Sequence, residues 1–157
     1  MAVLLGQFKR LDSQLSLVIS QQSLVIKVEG NVATKSFQEL RVYKLSERLA
    51  DEIWKAVNTW EPFAKNTIGQ QIVRSADSVG ANIAEGVGRG SYQDNKRFVK
   101  IARGSLYETQ HWLRRAYTGN LLTVEQVNIF TAIINDLAPK LNSYLQSIGS
   151  SPKEHEQ

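Results

Sequence analysis

The chain has 157 residues, no cysteine and a formal net charge of +4. This length fits one domain that buries its own core, and 42% hydrophobic with 22% charged residues is typical of a soluble globular protein. The absence of cysteine excludes disulfides, thiolate zinc sites and cysteine nucleophiles, and it favours a reducing cytoplasm. No apolar run reaches the ~18 residues of a membrane span, and no cleavage site follows the stretch Leu15 to Val28. We therefore expect neither a membrane segment nor a signal peptide.

Residues 1–35 differ in composition from the rest of the chain. Two runs rich in β-branched residues, Leu17–Ile19 and Leu24–Ile26, are followed by the turn-like pair Gly30-Asn31. Two interpretations stay open: a poorly ordered or loosely docked extension, which includes a start codon placed too far upstream, or a strand or hairpin that packs on the domain or a neighbour. We predict an extension over residues 1–35, a folded domain over 36–148 and a flexible tail over 149–157.

From Ser36 onward the apolar residues recur every three or four positions, which is the period of a helix. The first helix is predicted to begin at a Ser36 cap and to stop at Pro62. Its apolar stripe consists of Val42, Leu45, Leu49, Ile53, Ala56 and Trp60. The second helix is predicted to end at Gly86 and Gly88. Its stripe consists of Ile68, Ile72, Ala76, Val79, Ile83 and Val87.

The third and fourth helices are predicted to begin at capping boxes. Ser91 with Asp94 is an approximate box, and Thr123 with Gln126 is a complete one. Pro139 lies inside the fourth helix and removes one backbone hydrogen bond, so we expect a kink there. The third stripe is Phe98, Ile101, Ala102, Ser105, Thr109, Trp112 and Ala116, and the fourth is Val127, Phe130, Ile134, Leu137, Leu141, Tyr144 and Ile148. Four helices of roughly twenty residues with short links predict an all-α, antiparallel up-down-up-down four-helix bundle.

One face of the third helix is basic. Between Ser91 and Thr118 there are six basic and two acidic residues, a net charge of +4 that equals the charge of the whole chain. At about 100° per residue, most of the basic side chains fall within a strip roughly 80° wide, nearly opposite a core stripe centred on Ser105. Such a face with aromatic rings attracts phosphates, since each neutralised phosphate releases counterions and a ring can stack on a base. The predicted nucleic-acid-binding residues, which would contact mainly the backbone, are Lys96, Arg97, Lys100, Arg103, Tyr107, His111, Arg114 and Arg115. The alternative is an ordinary solvated helix face.

The second helix carries a polar seam beside its apolar stripe, formed by Ser75, Ser78, Asn82, Glu85 and Arg89. We expect Asn82, Glu85 and Arg89 to form a network that ties the second helix to the third or joins subunits. A catalytic role for Glu85 is disfavoured, because neither a histidine nor a second carboxylate lies at a fixed nearby spacing. The sequence predicts no catalytic, metal or cofactor site.

The segment from Arg74 to Glu108 resembles the small four helix bundle family first noticed as open reading frames inside intervening sequences of bacterial large-subunit ribosomal RNA genes. The resemblance covers roughly residues 36–148. It rests on Phe37, Leu40, Val42, Tyr43, Gln71, Arg74, Ser75, Ser78, the run Asn82 to Gly86, Arg89, Ser91, Phe98, Ile101, Ala102, Gly104, Ser105 and Glu108. It implies a compact bundle that assembles into homopentameric rings. A related architecture serves as the accessory subunit of reverse transcriptases in diversity-generating retroelements, where it engages RNA or RNA–DNA hybrids.

Two functional hypotheses follow from the residues and the resemblance together. The first is a non-enzymatic, oligomeric, cytoplasmic accessory protein that binds nucleic acid through the basic face of the third helix, as the partner of a reverse transcriptase. The second is a protein-interaction scaffold whose basic face meets an acidic protein partner without contacting nucleic acid. An enzyme is the least favoured class, because no nucleophile and base lie at a working spacing.

Overall fold

The computed structural model describes residues 36–150. In this range the chain forms a 3₁₀ turn, Phe37–Glu39, and four long helices. These helices are α1 (Arg41–Asn58), α2 (Gln70–Gly88), α3 (Tyr92–Thr118) and α4 (Val124–Ser147). A helical turn, Pro62–Ala64, and a π-helical turn, Lys65–Gly69, lead directly into α2. The predictions for residues 1–35 and for most of the tail lie outside the described residues.

The four helices form a bundle in which each helix packs on its two neighbours. In the described part of the chain, α1 packs on α2 and α4, α3 packs on α2 and α4, and no Cα atoms of diagonally opposite helices come within 8 Å of each other. The interface between α2 and α3 is the most extensive, and the interface between α3 and α4 is the least. The predicted all-α four-helix bundle is confirmed. Helix α4 continues through Pro139, and the kink expected there stays a prediction.

The core follows the predicted stripes of α1, α2 and α4 at most positions. Its most deeply buried large aliphatic residues from these helices, each at most 1% exposed, are Leu49, Ile53, Ile72, Val79, Ile83, Leu137 and Leu141. Removing such a side chain from water contributes about 1.5–3 kcal/mol, so the bundle rests mainly on this stripe. No helix within residues 36–150 is long and apolar enough to cross a membrane.

The core stripe predicted for α3 is wrong in its position around the helix. Ile101 is 43% exposed instead of buried, whereas Val99, Leu106 and Leu113, which the prediction left out, are at most 8% exposed. At about 100° per residue, the buried side therefore centres near Ala102, roughly 60° from the predicted centre. Thr109, a member of the predicted stripe, faces α2 through its hydrogen bond to Ser75. Because α3 also packs on α4, large aliphatic side chains on its other flank complete the core.

Two predicted helix ends are also wrong. A 3₁₀ turn follows Ser36, and α1 begins only at Arg41, so Ser36 is not the cap of this helix. Pro62 does not stop α1, which ends at Asn58, but starts the next helical turn. Proline suits the first position of a helix because the backbone N–H that it lacks would have no partner there. Helix α2 continues through Gly86 and ends two residues later.

The predicted caps of α3 and α4 are confirmed. The hydroxyl of Ser91 accepts a hydrogen bond from the backbone N–H of Asp94 at 3.0 Å. At the start of α4, Thr123 and Gln126 form a complete capping box, with each side chain accepting from the backbone N–H of the other. These caps fix the starts of α3 and α4, the two helices that carry the candidate site.

Candidate nucleic-acid interface

Helices α2 and α3 approach each other closely at Gly86, and this contact positions α3, which carries the candidate site. A Cβ atom at Gly86 would lie 2.8 Å from Asn95 Oδ1 and 3.0 Å from Phe98 Cβ. Real Cβ atoms almost never approach other atoms so closely, so a larger residue would require the Asn95 side chain to move and Phe98 to shift, and glycine avoids both. The α2–α3 interface therefore depends on a missing side chain at one position of α2.

A buried hydrogen bond joins the same two helices further along. Thr109 Oγ1 in α3 lies 3.1 Å from Ser75 Oγ in α2, and both residues are buried. The hydroxyl of Ser75 also donates to the carbonyl of Ile72 at 3.1 Å. Ser75, a member of the predicted polar seam, thus lies inside the interface with its hydroxyl satisfied, as buried polar groups require.

The remaining polar-seam residues form two separate pairs rather than the predicted network. Asn82 Nδ2 donates to the carbonyl oxygen of Ser78 at 2.7 Å and to its hydroxyl at 3.1 Å, within α2. Glu85 near the end of α2 and Arg89, the residue that follows the helix, form an ion pair four residues apart. Only Arg89 reaches α3, where its guanidinium lies 5.0 Å from the centroid of the Phe98 ring. The expected link between helices is therefore a cation–π contact and not a hydrogen-bond network.

The residues predicted to bind nucleic acid lie together on the outside of α3, and we call them the basic face. Seven of the eight are exposed, namely Lys96, Arg97, Lys100, Tyr107, His111, Arg114 and Arg115. Arg103 is half-buried and donates to Asn142 Oδ1 of α4 at 3.2 Å. Because the core is rotated from its predicted position, Arg97 and Arg115 lie closer to the middle of the exposed side and Arg103 lies at its edge.

Within residues 36–150, the positive charges of the basic face have no carboxylate partner. The four ion pairs within residues 36–150 all lie on α1, α2 and α4. The two carboxylates of α3 are engaged elsewhere. Asp94 accepts from the Ser91 hydroxyl at 2.8 Å, and Glu108 accepts from Trp112 Nε1 at 3.4 Å. Unpaired charges of one sign add up along the helix and attract an anionic partner.

Aromatic rings stand among these charges. The side chain of Tyr107 is 58% exposed, and a Cβ atom at Gly104, one turn earlier, would meet no atom within 4 Å. The bare surface beside Tyr107 leaves room for a planar group to approach. The His111 ring packs edge-on against Trp112, with centroids 5.0 Å apart. A shallow depression of about 530 Å³ follows this part of α3 and is lined by Tyr107, Gln110, His111, Arg114, Arg115 and Thr118.

A second depression, which we call the α3–α4 groove, was not predicted from the sequence. It encloses about 430 Å³ between the end of α3 and the start of α4. Its apolar lining residues are Leu113, Tyr117, Leu122, Val127, Phe130 and Ile134, and its polar lining residues are Gln110, Arg114, Thr118, Thr131 and Asn135. The α3–α4 groove shares Gln110, Arg114 and Thr118 with the depression on the basic face. An apolar groove therefore opens directly beside a cationic surface.

Comparison with known families agrees with the bundle and with the resemblance noted from the sequence. The family model for the 23S rRNA-intervening sequence protein matches residues 38–143. The chain belongs to this family. A crystal structure of a protein with unknown function from the S23 ribosomal protein family of Bacteroides thetaiotaomicron VPI-5482 is 26% identical in sequence, with a TM-score of 0.60. That match covers 68% of this chain and 99% of the other. No curated protein matches the chain.

Proposed function

We propose that this intervening-sequence family member is a non-enzymatic accessory protein that binds RNA or an RNA–DNA hybrid through the basic face of α3. The observation that carries the proposal is a row of exposed cations without carboxylate partners in the described part of the chain. Such cations can each neutralise a phosphate and release its counterion, which is the main source of sequence-independent affinity.

The geometry of the basic face favours contact with the phosphate backbone over readout of bases. Its cations run from Lys96 to Arg115, about 29 Å along the axis at the usual helical rise. This length spans several successive phosphates of one strand. Lysine and arginine on one ridge can follow a backbone of almost any sequence, so we expect weak sequence preference.

Two further parts of the proposal rest on family membership. We propose that the protein assembles as a homopentameric ring, which would repeat the basic face and multiply its local field. We also propose that a reverse transcriptase is its partner and that it works without a cofactor in the cytoplasm. The most plausible carboxylate for catalysis, Glu85, is exposed and paired with Arg89, which supports a non-enzymatic role.

The proposal is tested by fluorescence-anisotropy titration of a structured RNA and a DNA duplex at about 50 and 200 mM salt. The test variant carries Lys96→Glu, Lys100→Glu and Arg103→Glu. Its matched control carries Lys44→Glu, Arg48→Glu and Arg74→Glu, three exposed cations on α1 and α2. Each substitution lowers the charge by two, so both variants change the chain from +4 to −2.

We expect the wild type to lose about 10³–10⁵ in affinity across this salt range if it contacts six to ten phosphates. The α3 variant should lose binding at both salt concentrations, whereas the control variant should retain most of it. Equal loss in both variants, or no binding by folded wild type at low salt, would contradict the proposal. The basic face would then be assigned to an acidic protein partner, and a pull-down that survives nuclease treatment would identify it.

A further inference from the structure

The α3–α4 groove has the size and lining of a ligand pocket. Its volume of about 430 Å³ lies within the range of roughly 300–1,000 Å³ that small-molecule sites occupy. It exists because α3 and α4 form the least extensive interface between neighbouring helices, so their facing side chains do not close the gap between them. The groove reaches the surface beside Arg114, a residue of the basic face.

In the described part of the chain, three of the polar side chains in the groove are not engaged, whereas the Thr118 hydroxyl donates to the carbonyl of Arg114 at 2.9 Å. Among residues 36–150, the side chains of Gln110, Thr131 and Asn135 have no hydrogen-bond partner. A purely apolar occupant would bury these amides and this hydroxyl without partners, which costs free energy. The groove therefore favours an occupant with apolar faces and with hydrogen-bonding groups along its edge.

We propose that the α3–α4 groove receives one unpaired nucleobase of a strand whose phosphates lie on the basic face. This inference rests on the proposed function. A nucleobase has the required chemistry, because its faces stack on rings and its edge carries donors and acceptors. Tyr117, which is 58% exposed, offers a ring for stacking. Gln110 and Asn135 offer amides for the edge, and Arg114 on the shared wall offers a cation for the phosphate of the same nucleotide.

The substrate class of the groove and the basic face together is nucleic acid with a bulge, a loop or a single-stranded segment. A continuous duplex keeps its bases stacked, so only its backbone can contact the basic face. A strand with one unpaired base gains the contacts of the groove in addition. Stacking of a base on an aromatic ring is worth enough to raise affinity by about tenfold or more.

The test compares two RNA hairpins that differ only at one 2-aminopurine. This base is unpaired in one hairpin and paired in the other. The test variant is Thr131→Trp, which fills the groove from an exposed position on α4. The matched control is Ala132→Trp, which places the same side chain on the next exposed residue, outside the groove lining. A third variant, Tyr117→Ala, removes the stacking ring. Thermal melting by circular dichroism establishes that all three variants fold.

We expect the wild type to bind the hairpin with the unpaired base about tenfold more tightly than the paired one, and to change the 2-aminopurine fluorescence. Thr131→Trp should abolish both effects while it leaves binding of the paired hairpin unchanged. Ala132→Trp should alter neither effect, and Tyr117→Ala should weaken binding of the unpaired probe by several-fold.

Three results would overturn the inference, and they separate it from the proposed function. Equal affinity for both hairpins, with binding still lost in the Lys96/Lys100/Arg103 variant, would remove the base site and keep the basic face. A change in the mass of the assembly caused by Thr131→Trp alone would reassign the groove to contact between copies. No binding of either hairpin at low salt would remove both proposals.

Discussion

The two sides of α3 are built differently. Its α2 side is closed, with Gly86 permitting close approach of Asn95 and Phe98, and with a buried hydrogen bond between Ser75 and Thr109. Its α4 side is open near the end of α3, where the groove holds three polar side chains, Gln110, Thr131 and Asn135, that lack hydrogen-bond partners in the described part of the chain. The comparison suggests that one side of the helix stabilises the bundle and the other leaves hydrogen-bonding groups free for a ligand.

Side-chain size explains the difference. Two of the α2 residues that meet α3, Ser75 and Gly86, are small, so the two backbones come close there. On the other side Tyr117 and Phe130 line a gap that the shorter side chains between them do not fill. Close packing contributes stability because interiors tolerate few voids, and an unfilled gap gives up that contribution.

The largest expected effect on stability is at the closed side. Gly86→Ala should lower the free energy of unfolding by about 1–3 kcal/mol, because the new methyl group overlaps Asn95 and Phe98 and forces the helices apart. Chemical denaturation of wild type and variant measures the change. Gly104→Ala on α3 is the control, since its Cβ atom meets open space and should stabilise the helix by roughly 0.5–1 kcal/mol. Equal effects at the two glycines would show that helix propensity, and not close approach, governs this interface.

A smaller effect is expected from the buried hydrogen bond. Thr109→Val keeps the shape of the side chain and removes its hydroxyl, so unfolding should become easier by about 1 kcal/mol. A double-mutant cycle that combines Thr109→Val with Ser75→Ala measures the coupling between the two hydroxyls, with each stability determined by urea denaturation. Additive effects would mean that the bond between Thr109 and Ser75 contributes nothing beyond the individual residues.

The interface between α1 and α2 offers a pH-dependent comparison. Although Asp77 is exposed, partial desolvation by the neighbouring helix and, second, the negative charge of Asp51 raise the pKa of Asp77 above its usual value. Ionised Asp77 therefore destabilises the folded state, and this cost appears as pH rises through the folded-state pKa. Asp77→Asn should stabilise the protein at pH 7 by less than about 0.5 kcal/mol, since solvent screens an exposed pair. The gain should vanish below the ordinary pKa of 3.8, where both states are protonated. Melting temperatures of the wild type and of Asp77→Asn, at pH 7 and at a pH below 3.8, measure this gain in stability.

The smallest effect on stability is expected at the open side. Asn135→Ala should change the free energy of unfolding by no more than about 0.5 kcal/mol, because the side chain is exposed and lacks a hydrogen-bond partner within residues 36–150. Chemical denaturation of Asn135→Ala and of Thr109→Val, each compared with the wild type, measures the two changes in the free energy of unfolding. A loss as large as that of Thr109→Val would show that the groove is part of the stabilising structure.

Local signals in the sequence predicted the parts of the fold that depend on local chemistry. The caps at Ser91 and Thr123 follow from side-chain oxygens that bond backbone groups three residues away. The position of Ile101 and the rotation of the α3 core could not be predicted, because apolar residues flank the stripe on both sides and only the neighbouring helices decide which flank is covered. The basic face could be predicted because the charge of a lysine or arginine side chain follows from the residue type alone. The groove was missed because Phe130 and Ile134 have the same spacing as core residues, and an opening depends on the distance between helices.

The central claim is that nucleic acid contacts the outer face of α3, and the salt dependence of binding tests it most directly. The slope of log affinity against log salt for single-stranded RNA is compared among wild type, Lys96→Gln with Lys100→Gln, and Lys44→Gln with Arg48→Gln on α1. Both variants lose two charges from exposed positions. We predict that the slope of the α3 variant becomes shallower by about 1.4, since each lost phosphate contact accounts for roughly 0.7. The α1 variant should keep the wild-type slope, and an equal change in both variants, or no change in the α3 variant, would contradict the claim.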